Sequence, residues 1–130
     1  LRVRYAETDQ MGYVYYGNYA AYYEVGRVEL MRQLGTSYRE IEETGVMLPV
    51  RDFSVRYFKP AMYDDLITIE TRIEEIPSAR ITFFYDIFNE AGNLLTSAET
   101  TLVFVDKKTN RPMRAPKWFT KKILESMNGA

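Results

Sequence analysis

The sequence predicts an α+β fold in which an antiparallel sheet covers one long helix. Three observations lead there. One helical stretch, Tyr15 to Leu34, is apolar nearly all round in its first half (Tyr19, Ala20, Ala21, Tyr22, Tyr23, Val25), which argues for burial. From Val46 onward the hydrophobic pattern switches to period two and fills four stretches of about 10 to 14 residues. The chain has 130 residues, 46% hydrophobic and 27% charged, which suits one core and a single domain over 1–130.

Leu1 to Glu7 alternates, with Leu1, Val3 and Tyr5 on one face and Arg2 and Arg4 on the other, and reads as a first strand. Thr8-Asp9-Gln10-Met11-Gly12 breaks it. The helix begins in earnest near Gly17 or Asn18, with Asn18 a candidate N-cap, and Gly35 closes it. Gly26 in mid-helix costs about 1 kcal/mol relative to Ala, which points to close packing on a sheet. A short polar helix, Ser37 to Glu43, ends at Gly45. From Val46 to Lys59 the apolar residues are even-numbered (Val46, Leu48, Val50) and then odd-numbered (Phe53, Val55, Tyr57). A bulge is therefore expected near Arg51–Asp52. Pro60 stops that strand. Ile67 to Glu74 and Arg80 to Ile87 alternate, Glu90-Ala91-Gly92-Asn93 has turn chemistry, and Leu94 to Val105 is the return strand. After a polar turn at Asp106 to Arg111, Pro116 suits the first turn of a final helix. Its Trp118, Phe119, Ile123, Leu124 and Met127 are expected to dock on the sheet.

Composition excludes several chemistries. Without cysteine there is no disulfide, thiol nucleophile or Cys-built zinc site, and without histidine no Ser-His or Cys-His dyad and no His-ligated metal. Catalysis must rest on carboxylates, hydroxyls, lysines or backbone dipoles, and no metal is expected. No apolar run approaches the roughly 18 residues of a membrane span. The lack of cysteine and of a basic-then-apolar leader leads us to expect a cytoplasmic protein. The net charge of −1 is unevenly spread, with 10 Lys and Arg against 17 Asp and Glu up to residue 106, and 7 against 1 from there to the end. The basic tail reads either as a solvated helix or as a landing patch for an anionic carrier. Nucleic acid is not expected, since the patch is short and no binding motif accompanies it.

Chemistry concentrates in Asp9-Gln10-Met11-Gly12-Tyr13-Val14-Tyr15-Tyr16-Gly17-Asn18-Tyr19. A carboxylate in a Gly-containing turn precedes a helix start, whose unpaired N–H groups and positive dipole end can polarise a carbonyl. Such a carboxylate can attack the carbonyl, or activate water against it, while the donors stabilise the oxyanion. Asp9 is the principal candidate, with the backbone of Tyr16 and Gly17 as donors. Tyr13, Tyr15, Tyr16 and Tyr19 can line a substrate pocket, and Asn18 can hydrogen-bond a substrate or hold the turn. Plain core and cap roles serve these residues equally well. Glu24 and Arg27, three apart on one helical face, read first as an ion pair, with Glu24 kept as a second substrate-side acid. Asp64 and Asp65 read as a loop before a strand.

The run Asp9…Gly12…Val14…Tyr16…Tyr19…Glu24…Arg27 resembles the signature of the hotdog-fold acyl-CoA thioesterases. It is most similar to the 4-hydroxybenzoyl-CoA thioesterase family and its YbgC-type relatives. Tyr57-Phe58-Lys59-Pro60-Ala61-Met62-Tyr63-Asp64-Asp65 is a second match, and the likeness extends from Arg2 to about Met127. Many relatives have His where this chain has Tyr16, and others have Tyr. The resemblance implies a hotdog fold, with a long curved antiparallel sheet wrapped around one central helix. It implies hydrolysis of an acyl-CoA or acyl carrier protein thioester, with Asp9 as nucleophile through a mixed anhydride or as general base. Coenzyme A would enter only as part of the substrate, with no other cofactor, and the assembly would be a homodimer or homotetramer. Lys59, Arg80, Lys107, Lys108 and Arg111 are candidates for the coenzyme A phosphates. A non-catalytic acyl-thioester or lipid-binding scaffold on the same fold is the alternative. A dehydratase is disfavoured because those hotdog enzymes pair Asp with His.

Overall fold

In the computed structural model, which describes residues 1–128, four strands form one antiparallel sheet. They are β2 (Val50–Tyr57), β3 (Thr68–Arg72), β4 (Arg80–Phe88) and β5 (Leu94–Val103), in the spatial order β2-β5-β4-β3. A small pair, β1 (Val46–Met47) and β6 (Val105–Asp106), continues from the end of β2 and β5. β2, β3 and β4, of 8, 5 and 9 residues, are shorter than the expected 10 to 14, and β5 reaches 10. Val46 to Lys59 divides at Leu48–Pro49, and the return strand divides at Phe104. The bulge stands where the change of parity placed it. Val50 pairs with Leu102 and Asp52 with Thr101, so Arg51 is the extra residue.

Helix α1 (Tyr19–Gln33) lies on the inner face of this sheet, entered through a 3-10 turn at Tyr16–Asn18. Tyr19, Tyr22, Tyr23, Gly26 and Met31 are buried, facing Phe83, Tyr85 and Ile87 of β4. The opposite face, with Ala20, Ala21, Glu24 and Val25, is exposed in the single chain, so the helix is covered on one side and not all round. Tyr23 anchors the contact. Its ring lies 4.7 Å from that of Tyr85, and its hydroxyl bonds the buried Thr96 hydroxyl. A Cβ on Gly26 would fall 2.9 Å from Ile69 Cγ2 and closer still to Thr71 Oγ1, which is why the helix needs glycine there.

Gly35 (φ +79) ends α1. Its N–H donates to Arg32 O and that of Thr36 to Met31 O, the paired bonds of a Schellman motif. Helix α2 (Tyr38–Glu43) follows, with Ser37 Oγ accepting from Glu40 N at 3.1 Å as its N-cap. Helix α3 (Lys117–Asn128) packs through Phe119 and Ile123, and Lys122 Nζ donates to Gly35 O at 3.1 Å across the end of α1. Leu124 and Met127, expected to dock, are exposed: Leu124 lies off the face that carries Phe119 and Ile123, and Met127, on that face, stands in the last turn of the helix.

The first strand is reduced to a stub. Leu1 to Val3 pairs with Asp65 to Ile67, and Tyr5–Glu7 then forms a 3-10 turn. Glu7 is the cause, because its Oε1 accepts from Arg4 N at 2.8 Å, giving the backbone a local alternative to the ladder. Val3 stays buried while Tyr5 turns out to solvent.

Candidate active site

The carboxylate of Asp9 sits at the head of a tight hairpin closed by a Thr8–Val14 bridge. Asp9 N donates to Tyr13 O at 2.8 Å, and Gly12, at φ +80, donates its N–H to Asp9 O at 3.0 Å. Asp9 Oδ1 accepts from Met11 N at 2.9 Å and from Tyr13 N at 3.2 Å. One carboxylate oxygen is thus fixed by backbone donors, while Oδ2 has no hydrogen-bond partner among the described residues. The hairpin is tied to the helix start at a single carbonyl. Glu7 O accepts from Tyr15 N at 2.8 Å and from Asn18 Nδ2 at 2.8 Å. Asn18 therefore holds the turn through its amide and makes no side-chain cap. The N–H groups of Tyr16 and Gly17, first in the 3-10 turn, have no acceptor among the described residues.

The second motif supplies the opposite wall. Tyr13 bridges to Met62, Val14 N donates to Ala61 O at 2.7 Å, and Ala61 N donates to Tyr19 Oη at 3.4 Å. Tyr57 packs edge-on to Tyr19 at 5.3 Å between ring centres. The result is a cavity of about 310 Å³ bordered by Asp9, Tyr13, Tyr16, Tyr19, Tyr57 and Lys59. Burial pushes the Tyr19 phenol above its usual range, with the Ala61 N–H opposing and Tyr57 adding to the shift. Glu7, beneath the hairpin, moves the other way. Burial alone would raise its carboxyl, but the Arg4 N–H and guanidinium outweigh that and hold it below the ordinary value.

Asp9, Tyr13, Tyr16, Tyr19 and Lys59 thus meet at one place, with Gly17 beside them, while the Tyr15 ring is exposed and lies against that of Tyr16 at 4.8 Å. Glu24 and Arg80 lie elsewhere. Glu24 is farther along α1, and Arg80 opens β4 beside Glu75, Thr82 and Glu99 on the outer face. Lys107, Lys108 and Arg111 sit in the turn after β6, where Lys107 N donates to Gly45 O, at the far end of β2 from Asp9. The Glu24–Arg27 ion pair does not form. Arg27 turns to the sheet instead, where its Nη1 donates to Tyr85 Oη at 3.3 Å. Phe58 and Pro60 are wall residues that periodicity did not single out, Tyr57 was placed by alternation on its strand, and the second motif contained all three.

A family model described as the thioesterase-like superfamily matches residues 3–123. The chain belongs to the thioesterase-like superfamily. Hydrolysis of a thioester is the activity class of that family, and this chain shares it. Over 119 residues it is 40% identical to the putative acyl-CoA thioesterase YneP of Bacillus subtilis, covering 92% of this chain and 86% of that protein. Against the acyl-CoA thioester hydrolase YbgC of Escherichia coli the identity is 35% over 117 residues, covering 90% and 87%. Among solved structures, the DHNA-CoA thioesterase of Staphylococcus aureus superposes with a TM-score of 0.87 at 36% identity, covering 99% of this chain and 90% of the other. The hotdog architecture is thereby shown. Among the described residues, no helix is long and apolar enough to cross a membrane.

Proposed function

We propose that this thioesterase hydrolyses acyl-CoA at the Asp9 cavity. The observation that carries the reading is a half-held carboxylate sharing one cavity of substrate size with Tyr16, at whose turn two backbone N–H groups are without acceptors among the described residues. Asp9 Oδ2 either attacks the thioester carbon, giving a mixed anhydride that water then opens, or takes a proton from the attacking water. In both routes the carbonyl oxygen gains charge facing the Tyr16 and Gly17 N–H groups, and the carbon–sulfur bond breaks to release thiol and free acid. Lys59, at the rim, is suited to a coenzyme A phosphate. Tyr13, Tyr16 and Tyr19 wall the acyl group, and coenzyme A enters as part of the substrate. The names of the relatives support an acyl-CoA, and a cytoplasmic location goes with that substrate.

A homodimer is proposed with it. β2 is an edge strand whose Val50, Phe53 and Tyr57 are all exposed in the single chain, and such an edge is suited to pairing with a second copy. Sedimentation should show a particle of two chains or a multiple of two, and a single chain at micromolar concentration would refute it.

The deciding assay is thiol release from aryl-, short- and long-chain acyl-CoAs by native protein and Asp9→Asn side by side. Turnover that falls about 10³-fold or more in the variant is expected. Turnover surviving the change would move the carboxylate role away from Asp9. Saturable acyl-CoA binding with no thiol release would make the protein a binding module on this fold.

A further inference from the structure

Glu7 stands two residues before Asp9 and is gripped through both its main chain and its side chain. Its carbonyl oxygen accepts from Tyr15 N and from Asn18 Nδ2, each at 2.8 Å. One atom thus joins the hairpin to the turn that carries the Tyr16 and Gly17 N–H groups. Its N–H donates to Arg4 O at 2.9 Å. Its carboxylate closes back on the same residue, with Oε1 accepting from Arg4 N at 2.8 Å and Oε2 paired with Arg4 Nη2 at 3.4 Å. The Glu7 side chain is 15% exposed against 80% for Arg4, so the carboxylate is the enclosed member of the pair. The exposed guanidinium contributes little, and the bond from Arg4 N is the firmer hold.

Helix α1 meets the carboxylate from the other side. The Tyr22 hydroxyl is buried without a hydrogen-bond partner among the described residues, and the Glu7 carboxylate is the anion beside it. Burial pushes the Tyr22 phenol up, and the negative charge of Glu7 pushes it further. The hydroxyl therefore keeps its proton, a donor beside an acceptor. Tyr22 follows Asn18 by four residues, one helical turn, so both lie on the face toward Glu7. Asn18 holds the carbonyl and Tyr22 faces the carboxylate.

We infer that Glu7 is a positioning residue for the hydrolysis: its carboxylate, clasped by Arg4 and Tyr22, fixes the peptide whose carbonyl sets the spacing between Asp9 and the Tyr16 and Gly17 N–H groups. This rests on the thioesterase reading of the Asp9 cavity. Glu7 is not among the residues that border that cavity, so it reaches the reaction through geometry and not through binding. Its signature is a fall in kcat with KM kept.

The test is steady-state hydrolysis of whichever of benzoyl-, butyryl- and palmitoyl-CoA native protein turns over fastest. In Glu7→Ala, kcat should fall about tenfold with KM little changed. Glu7→Ala combined with Asn18→Ala should be no slower than the slower single variant, since both loosen one carbonyl. Tyr22→Phe keeps its ring in the core and should lose about threefold in kcat, with nothing added to Asn18→Ala in the pair.

Native kcat in either folded variant would overturn the inference. So would losses that multiply in the double variants, or a rise in KM that accounts for the whole effect. Should Glu7→Ala fail to fold, Tyr22→Phe and its pair with Asn18→Ala decide by the same rule. In all these cases native protein still turns over, and the thioesterase reading stands. No turnover by native protein refutes that reading, and the positioning role with it.

Discussion

Single side chains show where packing has left no slack. At Gly26 a methyl group would meet Ile69 and Thr71 of β3, which are held in the sheet and cannot withdraw. Gly26→Ala should cost about 1–3 kcal/mol through overpacking, despite the better helix propensity of alanine, and urea unfolding would measure it. Asn18 predicts a different signature. Its amide joins Glu7 O to the helix start, so it sets the spacing between the Asp9 hairpin and the Tyr16–Gly17 donors. Asn18→Ala should lower kcat about tenfold with KM little changed, and steady-state kinetics would separate that from a role in substrate binding. The turn that holds Asp9 was legible from sequence because its partners, Met11 and Tyr13, lie within four residues of it. Arg27 was not, since its true neighbour Tyr85 is 58 residues away and spacing on the helix suggested Glu24 instead.

Among elements, those governed by local rules were readable and those governed by side-chain competition were not. Gly35 closing α1 and Ser37 opening α2 follow from turn and cap chemistry alone. The first strand failed because the Glu7 carboxylate captures the Arg4 N–H, a contact that alternation does not register. That contact makes the segment acid-sensitive. The Glu7 carboxyl titrates lower in the folded chain than in the unfolded one, so its contribution is complete above the unfolded value of about 4.5 and fades as pH falls through the lower folded value. Unfolding of native protein and Glu7→Gln between pH 7 and pH 3 should show this loss only in the native chain. A parallel loss in both would mean that other carboxylates account for it. At the other end of the range, burial pushes the Tyr38 hydroxyl up to about 12, with Arg27 opposing. Its absorbance should stay that of the phenol when exposed tyrosines have already ionised near pH 10, and a Tyr38→Phe difference titration would isolate it.

For the whole molecule, the fold class and the order of elements were visible, while the meeting of the two motifs was not. Tyr13 and Met62 are 49 residues apart, and only the folded hairpin brings the Pro60 segment against Asp9. Coverage of α1 was overestimated, because an apolar helix implies burial without saying whether its own sheet or a second copy provides it. The exposed residues Ala20, Ala21 and Val25 are thus part of the same question as the β2 edge. Placing a charge there, as in Val25→Lys, should leave the monomer fold intact and shift sedimentation to smaller species if that face is an assembly surface.

The bulge at Arg51 has a further consequence. Strand β2 has, in effect, a reading frame. On one side of Arg51 the frame places Val50 at the cavity that Val28 and Leu48 also border, and on the other it places Tyr57 beside Tyr19. Drawing Arg51 into the ladder would be a conformational frameshift, turning every later side chain of β2 to the opposite face with the composition untouched. The wall of the Asp9 cavity is thus kept in place by one residue held out of pairing at the other end of the strand.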